Sequence, residues 1–253
     1  MEFEGKTVLV TGASRGIGRA IAHAFAADGA KVAVHYNRNR AAAEEALQSL
    51  PGGPHAIFAC DVSDPGESKS LVDDVTEKLG PVDVLVNNAG IYEPHAGIAQ
   101  LDYEEWLSNW SSTIGINLLG PANLMFWAAK QMVGRGGGRI VNVSSRGAFR
   151  GEPDAPAYGA SKAGLNSMSQ SMAQALAPSG VYVTVVAPGW VETDMTRKTL
   201  AGPKGDSIRD QSPMRRAASP EEIAKAVIFL ASEGTEYMTG AIVDANGASY
   251  LRS

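Results

Sequence analysis

Among 253 residues there is one cysteine, Cys60. A single thiol cannot close an internal disulfide, so stability must come from a packed core, and the usage fits a reducing compartment. The opening residues Met1-Glu2-Phe3-Glu4-Gly5-Lys6 lack a basic stretch followed by an apolar one, which sets aside a secretory signal. No uncharged apolar run is long enough to cross a bilayer. The formal net charge of −5 gives no electrostatic reason to expect nucleic acid as a partner. These absences leave the expectation of a cytoplasmic globule that needs no membrane, no nucleic acid and no metal.

What is present is an alternation. Hydrophobic residues make up 44% and charged residues 19% of the chain, a balance that supports a sizeable core without disulfides or metals. Short apolar runs over 7–10, 31–35, 56–59, 82–86, 140–143, 181–186 and 241–244 read as strands. Helical spacing occupies the intervals. The first helix, over 16–28, carries Ile17, Ile21, Ala24 and Phe25 on one face, and Gly29 closes it. Further helices are expected over 41–50, 68–79, 103–132 and 157–177, and from Ser219-Pro220-Glu221-Glu222 to 232. Gly115 and Pro121 are placed to break or bend the long one. Unbroken Val/Ile/Leu strands separated by helices imply an α/β protein, a doubly wound parallel sheet (Rossmann-type) covered on both faces. No composition shift marks a boundary, so one domain over 1–253 is expected. The stretch 190–218, with Gly202, Pro203, Gly205 and Pro213, has weak periodicity, and a lid loop is expected around 190–212.

Between the first strand and first helix lies Thr11-Gly12-Ala13-Ser14-Arg15-Gly16-Ile17-Gly18. Glycines permit a tight turn and let backbone N–H groups approach a pyrophosphate, and the helix N-terminus adds partial positive charge. The spacing is G-x-x-x-G-x-G, without the lysine of a P-loop. Alone, such a turn is equally a structural connection. Its position before an amphipathic helix favours a dinucleotide. The second strand ends His35-Tyr36-Asn37-Arg38, with no acid to hold ribose hydroxyls. An acid would repel a 2′-phosphate, whereas Arg38 and Arg15 can pair with one. NADP(H) is therefore the preferred cofactor and NAD(H) the alternative. A solvated loop is the other reading of Arg38 and Arg40.

Tyr158-Gly159-Ala160-Ser161-Lys162 opens a predicted helix. Residues four apart share a helical face. A phenol near pKa 10 is a poor base at neutral pH, and a nearby ammonium lowers that value. The pair suits proton exchange with a substrate oxygen, although the spacing by itself also describes a surface pair. Two serines, Ser144 and Ser145, end the strand at 140–143, where α/β folds bind ligands. Asn87-Asn88-Ala89-Gly90 follows another buried strand.

Taken together, these segments resemble the short-chain dehydrogenase/reductase family in its single-domain branch. The likeness runs over nearly the whole chain, through the glycine turn at 12–18, Asp61-Val62, Asn87 to Gly90, Asn117, Ser145, Tyr158, Lys162 and Pro188-Gly189. The resemblance implies that Ser145 holds the substrate oxygen, with Ser144 the fallback. It implies that Tyr158 exchanges the proton, that Lys162 binds the nicotinamide ribose and lowers the tyrosine pKa, and that Asn117, at a helix kink, holds a relay water. Asp61 and Val62 would contact the adenine edge. Asn88, Ala89 and Gly90 would line the ribose. Within Pro188-Gly189-Trp190-Val191-Glu192-Thr193, Val191 and Thr193 would fix the carboxamide. The cofactor set is completed by Gly12, Ser14, Arg15, Gly16, Ile17, Gly18, Tyr36, Asn37 and Arg38.

Pro213-Met214-Arg215-Arg216 and the following Pro220-Glu221-Glu222 are similar to the 3-oxoacyl-carrier-protein reductases and glucose dehydrogenases of that family. The expected substrate is a small carbonyl or alcohol, a ketone or a carrier-linked 3-oxoacyl chain, with a sugar or polyol as the alternative. Trp190, Met195, Leu200, Tyr92, His95, Phe149 and Arg150 are candidate pocket residues. Arg146 and Arg150 either attract an acidic partner or are solvated. The resemblance further implies a homotetramer built on the helices at 103–132 and 157–177, with Trp106, Trp110, Phe126 and Trp127 at interface or core. A catalytically idle dinucleotide sensor is the rival class, opposed by the complete Asn/Ser/Tyr/Lys set. A methyltransferase would need an acid after the second strand.

Overall fold

A computed structural model describes residues 1–95 and 97–252. Seven strands form one sheet: β1 (Thr7–Val10), β2 (Lys31–Tyr36), β3 (Ala56–Ala59), β4 (Val84–Asn87), β5 (Gly138–Val143), β6 (Val181–Pro188) and β7 (Ile242–Ala245). Their order is β3-β2-β1-β4-β5-β6-β7, and all pairs are parallel. The connecting helices are α1 (Gly16–Ala27), α2 (Arg40–Gln48), α3 (Pro65–Leu79), α4 (Tyr103–Ile114), α5 (Gly120–Gly134), the one-turn α6 (Gly147–Arg150), α7 (Pro156–Leu176), α8 (Asp194–Ala201), α9 (Gly205–Arg209) and α10 (Pro220–Ala231). This is the doubly wound Rossmann-type sheet expected from the alternation.

The unbroken apolar strands are explained by burial on both faces. Successive strand residues point to opposite sides. Val8 and Val10 enter one core with Ile21 and Phe25 of α1, Ala43 of α2 and Val227 of α10. Leu9, between them, enters the other core with Val72 of α3, Met125 of α5 and Ala173 of α7. Burying each large side chain contributes about 1.5–3 kcal/mol. The strand order reverses direction between β1 and β4, and a crevice opens there at the C-terminal ends of the strands.

Three expectations are corrected, and one is made specific. Helix α3 begins at Pro65 rather than 68, because Asp64 accepts a hydrogen bond from the Glu67 N–H and Pro65 occupies the first turn. Strand β4 runs to Asn87 and begins at Val84 rather than 82. The break expected near Gly115 and Pro121 in the helix over 103–132 takes the form of a π-helical turn at Gly115–Leu119, where the missing N–H of Pro121 adds to it. The lid expected as a loop is largely helical: α8 and α9 enclose a small core of Leu200, Ile208 and Ala217 against Trp190. Its polar sequence hid this because only a few apolar residues suffice to pin two short helices.

Candidate active site

The glycine turn emerges from β1 with Gly12 and Gly16 at φ +63° and +54°, a region that disfavours side chains. Gly18 is buried, and a Cβ there would collide with the Gly12 carbonyl oxygen and the Asn88 amide. Helix α1 starts at this turn with no side-chain cap and no acid in its first turn, so its N-terminal N–H groups face the crevice beside Ser14, Arg15 and Ile17. Thr193 lies across from Gly16, whose added Cβ would sit 3.2 Å from the Thr193 methyl.

The turn is held by side chains the sequence did not single out. Thr11 Oγ1 accepts the Asn88 and Ala89 N–H groups, each at 2.9 Å. The Asn88 amide donates to the carbonyls of Thr11 and Gly12 at 2.9 and 3.2 Å. Its side chain is thus committed to the turn, which leaves only its backbone for a ribose. His35 is buried and bridges two strands. Its Nδ1 accepts the Gly12 N–H at 3.0 Å, which makes Nε2 the protonated nitrogen, donating to the Cys60 carbonyl at 2.9 Å. Burial lowers its pKa below the ordinary 6.5. Burial also pushes the Cys60 thiol up to about 12 and makes it inert.

Beyond β2, Tyr36 is buried, while Asn37 and Arg38 are exposed. Asp61 accepts from the Ser63 N–H and hydroxyl at 3.0 and 2.6 Å, and Arg38 lies close enough to help lower its pKa. Val62 is buried in the core with its backbone against Gly120. On the far side, Pro188 ends β6 in register with Ala245, and a Cβ on Gly189 would press on Asn246 at 3.0 Å. Val191 pairs in parallel with Ala218.

Ser145, Tyr158, Lys162 and Asn117 converge at the ends of β4 and β5. The Ser145 hydroxyl lies near enough to the Tyr158 phenol to pull its pKa down, and Ser145 Oγ accepts the Gly147 N–H at 3.0 Å. Ser144 points away, toward the Lys162 carbonyl at 3.4 Å. The Lys162 ammonium lies 5.9 Å from the Tyr158 ring centroid and donates to the Val143 carbonyl at 2.8 Å. A Cβ on Gly90 would lie 3.2 Å from Asn117 Oδ1 and 3.5 Å from Lys162 Nζ. Asn117 is fully buried in the π-helical turn. Its amide clasps Ile91, accepting the Ile91 N–H at 2.8 Å and donating to the Ile91 carbonyl at 3.0 Å. A second amide hydrogen bond reaches Ser161 at 3.2 Å. Below them Asn87, Asn142 and Ser169 form a buried chain with 2.8 Å links.

Burial governs the charges. It pushes the Tyr158 phenol up to about 12 and the Lys162 ammonium down to about 8, while the Ser145 hydroxyl pulls the phenol the other way. The expected lowering of Tyr158 by Lys162 is therefore not the net result in the protein alone. The ammonium is turned to a backbone carbonyl, and desolvation of the phenolate dominates.

Of the candidate pocket residues, Tyr92 stacks edge-on against Tyr158 at 5.1 Å. Leu200, in α8, is buried against Ile208 and Ala217, and Met195 is exposed. Phe149 is covered by the Arg252 guanidinium at 4.4 Å. Arg146 is 4% exposed and donates to Gln211. The solvated reading of Arg146 fails because its side chain folds under the lid. Glu152, which sequence reasoning passed over, sits partly buried beside this group.

The arrangement recurs in known proteins. The family described as enoyl-(acyl carrier protein) reductase matches residues 12–247. The chain is 39% identical over 251 residues to the 3-oxoacyl-(acyl-carrier-protein) reductase FabG of Escherichia coli (strain K12), covering 99% of this chain and 100% of that protein. It is 39% identical over 252 residues to a D-threitol dehydrogenase of Mycolicibacterium smegmatis, covering 99% and 95%. A crystal structure described as ribose-5-phosphate isomerase from Brucella melitensis 16M superimposes with a TM-score of 0.89 at 32% identity, covering 97% of this chain and 92% of that one. These relatives differ in named activity while sharing the scaffold, so the substrate has to be read from side chains. With such identity over nearly its whole length, the chain belongs to the short-chain dehydrogenase/reductase family of NAD(P)-dependent oxidoreductases.

Proposed function

We propose that the protein is an NADP(H)-dependent oxidoreductase acting on a carbonyl or secondary-alcohol carbon of a small molecule, with Tyr158 as its acid/base. The observation that carries this reading is the convergence of Ser145, Tyr158 and the buried Lys162 ammonium, 5.9 Å from the Tyr158 ring, at the sheet's C-terminal edge.

The residues present fit a dinucleotide. The uncapped, acid-free start of α1 and the positive-φ glycines offer backbone donors to a pyrophosphate. Unlike Arg40, which pairs with Glu44 at 2.8 Å, Arg15 and Arg38 close no ion pair among the described residues. Both are exposed and available to a 2′-phosphate. Asp61 and the backbone of Val62 flank an adenine, and Ala89 and Gly90 flank a ribose. Pro188, Gly189, Val191 and Thr193 border the nicotinamide end. When bound, the nicotinamide supplies or accepts the hydride.

The chain's own residues handle the rest. Ser145 donates to the substrate oxygen as negative charge develops there. Tyr158 gives or takes the proton at that oxygen. Lys162 is protonated at pH 7. A cation on this side of the ring favours the phenolate as Tyr158 gives up its proton, against the burial that raises its pKa. Asn117 holds the π-helical turn against Ile91 and Ser161, behind Lys162, where a relay to solvent would run. Helices α8 and α9 act as the lid.

The test is NADPH oxidation against a panel of ketones, sugars and acyl thioesters. Replacing Tyr158 by Phe is expected to lower kcat by about 10²–10⁴ while NADPH binding persists. Full turnover by that variant would remove Tyr158 from the role. Two substrate classes stand behind this reading: a 3-oxoacyl chain, as named for the Escherichia coli relative, and a polyol, as named for the Mycolicibacterium smegmatis relative.

A further inference from the structure

Glu152 decides between those classes. It follows α6 and the turn residue Gly151, whose φ is +74°, and its backbone is held at the start of α7 by the Ala155 N–H, which donates to its carbonyl at 3.0 Å. This is the turn that delivers Tyr158. The Glu152 carboxylate lies directly over Gly147, where a Cβ would come within 2.7 Å of Oε1. Gly147 is the residue whose N–H donates to Ser145 Oγ. The carboxylate is also near enough to raise the pKa of both Tyr158 and Tyr92.

Glu152 is half-buried, and burial raises its own pKa. Its carboxyl group forms no hydrogen bond or ion pair among the described residues. Arg146 and Arg150 lie close enough to pull its pKa down but form no ion pair with it, and both donate to Gln211. The Glu152 carboxylate oxygens are not sealed from solvent, so a ligand can reach them. They stand beside the pair that would hold the substrate oxygen, where a substrate hydroxyl can donate to them. A carboxylate disfavours an anionic ligand, and the two arginines nearby disfavour a cationic one. A neutral hydroxyl satisfies both.

We propose that Glu152 is a specificity-determining residue whose carboxylate accepts a hydrogen bond from a substrate hydroxyl close to the reacting carbon, selecting small polyhydroxylated alcohols and their hydroxyketones over plain 3-oxoacyl chains. This rests on the oxidoreductase reading above. In the oxidative direction the carbinol C–H leaves as hydride to the oxidised nicotinamide, and the hydroxyl proton passes to Tyr158 and on to solvent. Alcohol and NADP⁺ thus give ketone, NADPH and one proton.

The experiment measures kcat/KM with NADP⁺ for D-threitol, erythritol and xylitol against butan-2-ol, and with NADPH for an acetoacetyl thioester. Glu152→Leu is expected to lose about 100-fold in kcat/KM for its best polyol, mainly through KM, and far less for butan-2-ol. Glu152→Gln, which keeps one acceptor, is expected to lose about 10-fold and serves if the leucine variant no longer binds NADPH. Equal losses on polyol and butan-2-ol would mean a structural role and would overturn the proposal. So would a wild-type protein that reduces the thioester and oxidises none of the polyols, and both results would leave the oxidoreductase reading standing. NADPH binding with no turnover of any compound would overturn that reading, and this proposal with it.

Discussion

Tyr158 and Lys162 sit four residues apart in the sequence, but burial moves their proton affinities in opposite directions, up to about 12 and down to about 8. The pair was visible as a spacing; that Lys162 hydrogen-bonds Val143 depends on where β5 ends. His35 shows the same limit more sharply. In the sequence it is one residue of a strand, whereas in the fold its neutral ring ties the glycine turn to β3. Its folded pKa lies below 6.5, so the unfolded chain binds the proton first as pH falls. Stability should therefore decline from just above pH 6.5 downward, until the folded ring also titrates. Urea melts across pH 7.5 to 5 would show it, and His35→Gln should flatten the slope while costing stability at neutral pH. A slope unchanged by that substitution would assign it to other groups. Arg15 and Arg38 make a second prediction at this scale. Replacing both by Ser should weaken NADPH binding by about 10²-fold, at about 1.5–3 kcal/mol per lost charged hydrogen bond discounted for exposure, and leave NADH binding little changed. Titrations by nucleotide fluorescence would separate the two cofactors.

Elements were more legible than their ends. Helix α10 begins where the sequence placed it, because Ser219 and Glu222 form a reciprocal capping box written in adjacent residues. The start of α3 was misplaced although Asp64 and Pro65 carried the signal, since its apolar residues begin only at Leu71 and drew the boundary inward. The break near Asn117 was suggested by Gly115 and Pro121, but the close approach of Gly120 to the Val62 backbone just after it involves a neighbour from another part of the chain. The glycine turn is the element on which binding should be most sensitive. Gly18→Ala would force a methyl into the Gly12 carbonyl and the Asn88 amide, an overpacking expected to cost about 1–3 kcal/mol. Thermal unfolding and NADPH titration should both register it. A wild-type affinity in that variant would show that the turn yields more easily than its packing implies.

For the whole molecule, the outer faces of α4 and α5 leave Tyr103, Leu107, Phe126 and Val133 exposed, Phe126 at 55%. Trp127 instead packs against the core, and Trp106 and Trp110 stack on each other at 5.5 Å. We propose that this face is buried in a homotetramer, as the resemblance implied. Phe126→Asp should then lower the mass measured by light scattering, and an unchanged tetramer mass would place the interface elsewhere. No described helix is long and apolar enough to cross a membrane.

What the residues determined alone was periodic and local. Runs buried on both faces announced a parallel sheet, caps announced helix starts, and the glycine spacing announced a turn that needs no side chains, because each of these follows from interactions within a few residues. What only the tertiary structure decided was convergence. It set Ser145 rather than Ser144 beside Tyr158 and committed the Asn88 amide to the glycine turn. It folded Arg146 under a helical lid and left the Glu152 carboxylate without a donor among the described residues. Those outcomes depend on which strand ends and turns meet at the crevice, and distance along the chain carries no record of that.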